Sequence, residues 1–289
     1  MKIHLFGYSN PVGQSFLELI SKENNNLDVN LYSKSKRDAI YLDLESDELP
    51  KNFKIEKSSI LVSFAPIWAF SNFIENLDKQ KIFFRNVDMI ICCSSSSSIT
   101  KRFSFNNFDK DLSKRLYYSE ENIKEICLKN KIICKVIQPT LIYGNFGKYK
   151  DKNINLLRKI IRISPFLFLP DNVGLRQPIH AIDLAEIFYN LIIEKDNKKS
   201  NLKDQNVAIG GHETLSYIEM LERIKDTLPK NTYENFCFFI KIPNRLFFFL
   251  TSPLVLFSPK LYESILRISI NLSGFKTYKG KKVFRFPRS

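Results

Sequence analysis

The stretch that most constrains this chain lies at its start. A short apolar run at 2–7 (KIHLFG) ends in Gly7, and beyond Gly13 apolar residues recur at helical spacing through residue 22. Strand, glycine turn and helix open a βαβ unit, which requires a parallel partner strand and a crossover. Further strand signals fall at 29–33, 59–64, 87–93 and 134–138, with helical or loop segments between them. Strands alternating with helices predict an α/β chain: a Rossmann-type, doubly wound parallel sheet covered on both faces. From about residue 153 the pattern turns to helical stretches (153–163, 182–194, 217–227) with β-like pieces at 177–180 and 205–209. The expectation is a core over 1–150 and a small, mainly helical C-terminal α/β lobe over 151–289, with a strand returning to the core near 175–185.

A length of 289 residues with 44% hydrophobic content can bury a full core, which excludes a disordered or fibrous chain. The formal charge of +14 comes from Lys and Arg dispersed among Asn and Ile, without a zinc-finger, basic-zipper or RNA-recognition pattern. Solvated charge is therefore expected, and nucleic-acid binding is not. Five cysteines lack metal-ligand spacing and read as reduced thiols, with no metal site. The N-terminus has no long apolar core or cleavage site, which predicts a cytoplasmic protein. Residues 245–257 (RLFFFLTSPLVLF) are very apolar but shorter than the ~20 residues that span a bilayer, and Pro253 interrupts them. The leading reading is a buried or lobe-packing segment. A peripheral membrane contact or a dimer surface stays open, the membrane option supported by the basic stretch 276–288.

The chemistry begins at Gly7-Tyr8-Ser9-Asn10-Pro11-Val12-Gly13, a G-x-x-G-x-x-G turn with Asn10 in the middle glycine's place. Gly7 would permit the reversal, Asn10 a left-handed backbone, and Gly13 the close approach of helix to strand. Amides at the helix start, Val12 among them, would hold a pyrophosphate, although Pro11 has no N–H to offer. Where an NAD site presents an acid, the strand ends instead in Tyr32-Ser33-Lys34-Ser35-Lys36-Arg37. Ser33 with Lys34 or Arg37 suits a 2′-phosphate, which favours NADP over NAD.

Several separated segments fit one family in order: the glycine turn, Asp43-Leu44, Ser63-Phe64-Ala65-Pro66, the serine run 94–98, Gln138-Pro139-Thr140-Leu141-Ile142-Tyr143-Gly144, the segment 174–185 (GLRQPIHAIDLA), and Ile209-Gly210-Gly211. Over roughly residues 1–230 the chain resembles the NAD-dependent epimerase/dehydratase family, extended and atypical short-chain dehydrogenases/reductases that act on nucleotide-linked sugars. The resemblance implies an NADP or NAD cofactor and an epimerase, dehydratase or reductase activity in surface-glycan metabolism. It also implies a homodimer. It places Asp43 and Leu44 at the adenine, and Phe64, Ala65, Pro66, Pro139 and Thr140 along the rest of the cofactor. Arg176 and Tyr143 would contact the substrate, Arg176 at its diphosphate. His180 reads as structural and Asp183 as the cap of the next helix.

In the family a tyrosinate acts as base beside a lysine that lowers its pKa, and a serine holds the reacting oxygen. Ser96 is the serine in register, Ser97 its alternative, and Tyr117 the phenol. The lysine is missing: Glu121 stands in its place, and a carboxylate raises a phenol's pKa. Lys124 lies one turn from Glu120 or Glu121 and reads as pairing with one of them on the helix surface. Gln138 replaces the family's arginine. The same departure supports the other reading, a catalytically silent dinucleotide-binding protein with a structural, sensing or assembly role, at a membrane or in a complex.

Overall fold

The computed structural model describes residues 1–23, 27–35, 38–46, 53–80, 84–196, 206–228, 237–277 and 286. The first half runs β1 (Lys2–Phe6), α1 (Pro11–Lys22), β2 (Asp28–Ser33), β3 (Ile40–Tyr41), β4 (Ser59–Ser63), α2 (Ile67–Lys79), β5 (Val87–Cys93), α3 (Ser97–Thr100), α4 (Asn107–Lys129) and β6 (Ile133–Pro139). The second half runs β7 (Ile142–Tyr143), α5 (Lys152–Ile163), β8 (Phe166–Pro170), β9 (Leu175–Arg176), β10 (Ile179–His180), α6 (Ala181–Ile193), β11 (Asn206–Gly210), β12 (Leu215–Ser216), α7 (Tyr217–Asp226), β13 (Phe238–Ile242), α8 (Asn244–Thr251), α9 (Leu254–Phe257), α10 (Pro259–Leu266) and β14 (Lys276–Thr277).

The main sheet has the order β14-β11-β6-β5-β4-β1-β2-β3, with every pairing parallel. Its central strands are apolar on both faces, and all five residues of β4 are buried. Alternation then sorts side chains between two cores. Ile3, Leu5, Ile60, Val62, Met89 and Ile91 face α1 and α6, where Phe16, Leu184, Ile187 and Phe188 complete the layer. Phe6, Leu61, Ile90 and Cys92 face α2 and α4, meeting Phe70, Phe73, Leu116, Ile123 and Cys127. The five cysteines are free thiols, and only Cys93 is not fully buried.

Two features depart from the sequence reading. The strands at 175–176 and 179–180 pair with β12 and β7, outside the main sheet, although Ile179 and the residues after it do return to the α1–α6 core; β11 and β14 complete the sheet. The sheet therefore recruits residues from well beyond 150, and Val207 and Ile209 bury in the α1–α6 core. The second concerns 245–257, which forms α8 and α9 rather than a buried segment: α8 buries only Phe247 and α9 buries nothing. In the second half β7, α5, β8, β12 and α7 pack a separate core around Tyr143, Ile154, Leu169, Leu215, Leu221 and Ile224.

The cap of α6 also differs. His180, not Asp183, is the N-cap, its Nδ1 accepting from the Ile182 amide at 3.1 Å. Asp183 sits in the first turn, buried, with Oδ1 lacking any hydrogen-bond partner among the described residues. Burial, aided by nearby Glu186, pushes its carboxyl from 3.8 up to about 7. The native state then holds this proton more tightly than the unfolded chain does. The group's contribution to stability is full below pH 3.8 and is lost as pH rises to about 7. Asp183→Asn is expected to raise the thermal midpoint at pH 8 and leave it nearly unchanged at pH 4, as read by circular dichroism at constant ionic strength.

Candidate functional site

The chain leaves β1 toward β2 and β3, then returns to place β4 on β1's other side. Such a reversal leaves a crevice at the carboxyl ends of the two strands, where open α/β sheets bind ligands. Gly7 enters it at φ +69°, and a Cβ there would lie 2.3 Å from the Ala65 nitrogen. Asn10 does not adopt the left-handed backbone expected of it. It is extended (φ −147°, ψ 168°) and caps α1, Oδ1 accepting from the Gly13 amide at 3.0 Å. Its Nδ2 donates to Gly7 O at 2.7 Å and to Phe64 O at 3.4 Å, bridging the ends of the two strands. Gly13 leaves room for the turn, since a Cβ would meet Tyr8 Cα at 2.6 Å. Pro11 occupies the first helical position, where a missing N–H costs the helix nothing. With the Gly13 amide taken by Asn10, Val12 is the helix-end amide left to face an anion.

Beside this turn lies a cavity of about 320 Å³ whose lining includes Gly7, Ser33, Lys34, Asp43, Leu44, Ala65 and Pro66. Lys34 Nζ pairs with Asp43 Oδ2 at 2.6 Å, and Asp43 Oδ1 accepts from the Glu45 amide at 3.1 Å. The Lys34 ammonium is the main cause of an Asp43 carboxyl below its ordinary range. The sequence offered no carboxylate at the tip of β2; the β2–β3 pairing supplies one from residue 43. Ser33 Oγ accepts from the Ser35 amide at 3.2 Å, and Arg37 lies outside the described residues. Phe64 turns into the core against Phe188, ring centroids 4.6 Å apart. Pro139 and Thr140 serve the sheet: Pro139 O accepts from the Ser96 amide at 3.0 Å, Thr140 N donates to Ile209 O at 2.9 Å, and Thr140 Oγ1 donates to Gln177 O.

Ser96 and Tyr117 do not line one cavity. Ser96 starts α3 without a side-chain cap. The face that α4 turns inward carries Asp109, Ser113, Leu116, Glu120, Ile123 and Cys127. Tyr117 stands about 100° around the helix from Leu116 and is 51% exposed. Glu121, in the lysine's place, pairs with Lys124. Tyr117 lines a second cavity of about 650 Å³ with Ser98, Arg102, Lys114, Glu120 and Gln138 among others, but Ser96 is not part of its wall.

The residue that the motif comparison passed over is Glu120, only 1% exposed. Its carboxylate accepts from Ser94 Oγ and, at 2.7 Å, from Gln138 Nε2, which also donates to Ser98 Oγ at 2.8 Å. Ser113 Oγ donates to Ser98 O at 2.8 Å. Burial holds the Glu120 carboxyl above its ordinary value although the hydroxyls and the amide pull it down. Glu120 could have been found from spacing, because it interrupts the apolar positions 116, 123 and 127 of one helix face.

Arg176 is buried, and its guanidinium is used inside the fold. Nη1 donates to Leu175 O (2.8 Å) and Ile270 O (2.7 Å), Nη2 to Arg267 O (2.6 Å), and the group stacks 5.0 Å from the Tyr217 ring. It clasps 267–270 to β9 and lines neither of these cavities. Tyr143 is buried edge-on to His180 (4.9 Å) and Phe286 (4.8 Å).

No protein-family model matches the sequence, and the curated proteins contain no match to it. Solved structures do share the fold. UDP-glucuronic acid 4-epimerase from Bacillus cereus, solved in complex with NAD, is 14% identical at a TM-score of 0.60, over 93% of this chain and 95% of that one. GDP-D-glycero-L-gluco-heptose synthase from Campylobacter jejuni, solved in the presence of NADPH, is 14% identical at 0.60, over 84% and 88%. GDP-mannoheptose C4 reductase from Campylobacter jejuni, with NADP bound, is 12% identical at 0.59, over 84% and 87%. At these identities the likeness establishes the fold alone, a Rossmann-type architecture over 84–93% of the chain.

Two substitutions check the site's construction by chemical denaturation. Gly7→Ala, forced against the Ala65 backbone at positive φ, is expected to cost ~2 kcal/mol or more. Glu120→Ala strands the Ser94 and Gln138 donors and is expected to cost ~2 kcal/mol or more, with Glu120→Gln distinctly milder.

Proposed function

We propose that this chain is a nicotinamide-dinucleotide-binding protein of the oxidoreductase type acting on a nucleotide-linked sugar, with NADP preferred over NAD. The observation that supports this best is the crevice between β1 and β4, where Gly7, Ala65 and Pro66 line a cavity together with Lys34 and Asp43. A pyrophosphate would sit at the Val12 amide, the adenosine end in the 320 Å³ cavity, and a 2′-phosphate against Lys34 and Ser33. Asp43 would hold the ribose or adenine edge once Lys34 turns to the phosphate. The cofactor supplies hydride transfer; the protein binds and orients it and keeps water from the reacting carbon. Ser96, at the carboxyl end of β5, is the hydroxyl proposed to orient the sugar. The sugar class rests on the relatives of this fold, which are named for UDP- and GDP-linked sugars. Surface-glycan metabolism and a cytoplasmic location belong to the same proposal.

A second reading is favoured by one observation, the outward turn of Tyr117 and the Glu121–Lys124 pair. The motif's lysine is then not at hand to lower a phenol's pKa, and the chain would bind the dinucleotide without turning it over.

Thermal unfolding with NADP, NADPH, NAD and NADH tests the binding site, since a ligand at 100 times its Kd adds about 2.7 kcal/mol. The expected result is a higher midpoint with the phosphorylated pair, and a smaller gain for that pair in Lys34→Ala; no shift with any of the four would reject the proposal. Nicotinamide absorbance with UDP-, GDP- and dTDP-linked sugars then separates the readings. Binding without turnover would make the silent protein the better account.

A further inference from the structure

The helices at 244–266 are apolar, yet they stand exposed on the outside of the fold. In α8 Phe249 is 75% and Leu250 60% exposed; in α9 Leu256 is 82% and Phe257 84%; Leu261 of α10 is half-exposed. Isolated exposed apolar residues are ordinary, but a contiguous apolar patch marks an interaction surface. Here α10 packs on both α8 and α9, which gathers these exposed residues in one region of the surface. The patch extends across Lys260, whose Nζ lies 3.8 Å over the Phe108 ring, toward exposed Phe103 and Phe105.

The charges around the patch identify what covers it. From 238 to 266 the chain carries Lys241, Arg245 and Lys260, all exposed, and one carboxylate, Glu263. Glu263 is buried and accepts from the Asn106 amide and side chain, with Arg267 close by. Within 238–266 every exposed charge is therefore a cation, while exposed carboxylates enter from neighbouring segments: Asp171, whose amide donates to Ile242 O at 3.0 Å, and Asp111, one turn from Phe108 on α4. A second copy docked on it would set this excess of cations against its own. A surface that is apolar inside and anionic at its boundary fits both features, and a lipid bilayer with anionic headgroups is such a surface. Among the described residues no helix is long and apolar enough to cross a membrane, and α8 and α9 have 8 and 4 residues. Contact is confined to the interface.

We propose that the face formed by α8, α9 and α10 docks this protein on an anionic bilayer, with Phe249, Leu250, Leu256 and Phe257 entering the headgroup region and Lys241, Arg245 and Lys260 meeting the lipid charges. The proposal is independent of the dinucleotide site.

Flotation of the whole chain with vesicles tests it. The chain should float with phosphatidylcholine mixed with phosphatidylglycerol, much less with phosphatidylcholine alone, and less as salt rises. Leu256→Ser with Phe257→Ser should lower the bound fraction about tenfold, because both apolar anchors are removed. A Phe257→Trp variant should blue-shift its emission on the mixed vesicles, over the background of the single native Trp68. Arg245→Glu with Lys260→Glu should remove the preference for anionic lipid. Failure of the wild-type chain to bind mixed vesicles overturns the proposal, as does undiminished binding by the Leu256/Phe257 double variant. So does a dimer in light scattering that this double variant abolishes while vesicles leave the emission of the Phe257→Trp variant unmoved, which would assign the face to a second copy.

Discussion

The architecture depends on how closely the ends of β1 and β4 approach each other. Gly7 passes the Ala65 backbone at a distance that no side chain tolerates, and the Phe64 amide donates to Phe6 O at 2.9 Å. Asn10 then ties Gly7 O and Phe64 O together while capping α1. One side chain thus sets the reversal, the start of the helix and the width of the crevice. Its cost is chemical: the cap consumes the Gly13 amide, so a phosphate bound there would meet a helix end with fewer donors than the glycine spacing promises.

A comparable trade governs α4. The helix must bury Leu116, Ile123 and Cys127 against β5 and β6, and that packing fixes which residues turn inward. Glu120 comes in with them and Tyr117 does not. A buried carboxylate is tolerated only where donors converge on it, and Ser94 and Gln138 do so at the carboxyl ends of β5 and β6. Gln138, which in the sequence looked like the loss of a positive charge, is a neutral donor matched to this acid. The polar centre of the sheet edge is therefore a hydrogen-bonded cluster, and the phenol nearest in sequence stands half-exposed on the wall of the cavity that Ser98, Glu120 and Gln138 also line.

In the second half a cation behaves the same way. Arg176 has the right residue type for a diphosphate, yet its donors close the ends of a chain segment about 90 residues away, at Arg267 and Ile270. The clasp holds α10 and the chain beyond it beside β9, and so helps place the apolar helices outside the core. Local spacing could not reveal this, because the acceptors are backbone carbonyls of a distant segment and have no residue signature.

The sequence by itself determined β1, β2, β4, β5 and β6, their parallel pairing and the place of the glycine turn, but not the short edge strand β3. These follow from periodicity and from the few residues that permit a tight reversal, both of which are local properties. It also marked Ser33, Lys34, Asp43, Leu44, Ala65 and Pro66, which the fold gathers at one cavity. Only tertiary structure decided that β11 and β14 complete the sheet, that Asn10 is a cap, that Lys34 pairs with Asp43, and that Glu120 rather than Tyr117 faces inward. Each depends on which donor, acceptor or apolar face arrives from far along the chain, and a residue's partner across the fold is not written in its neighbours.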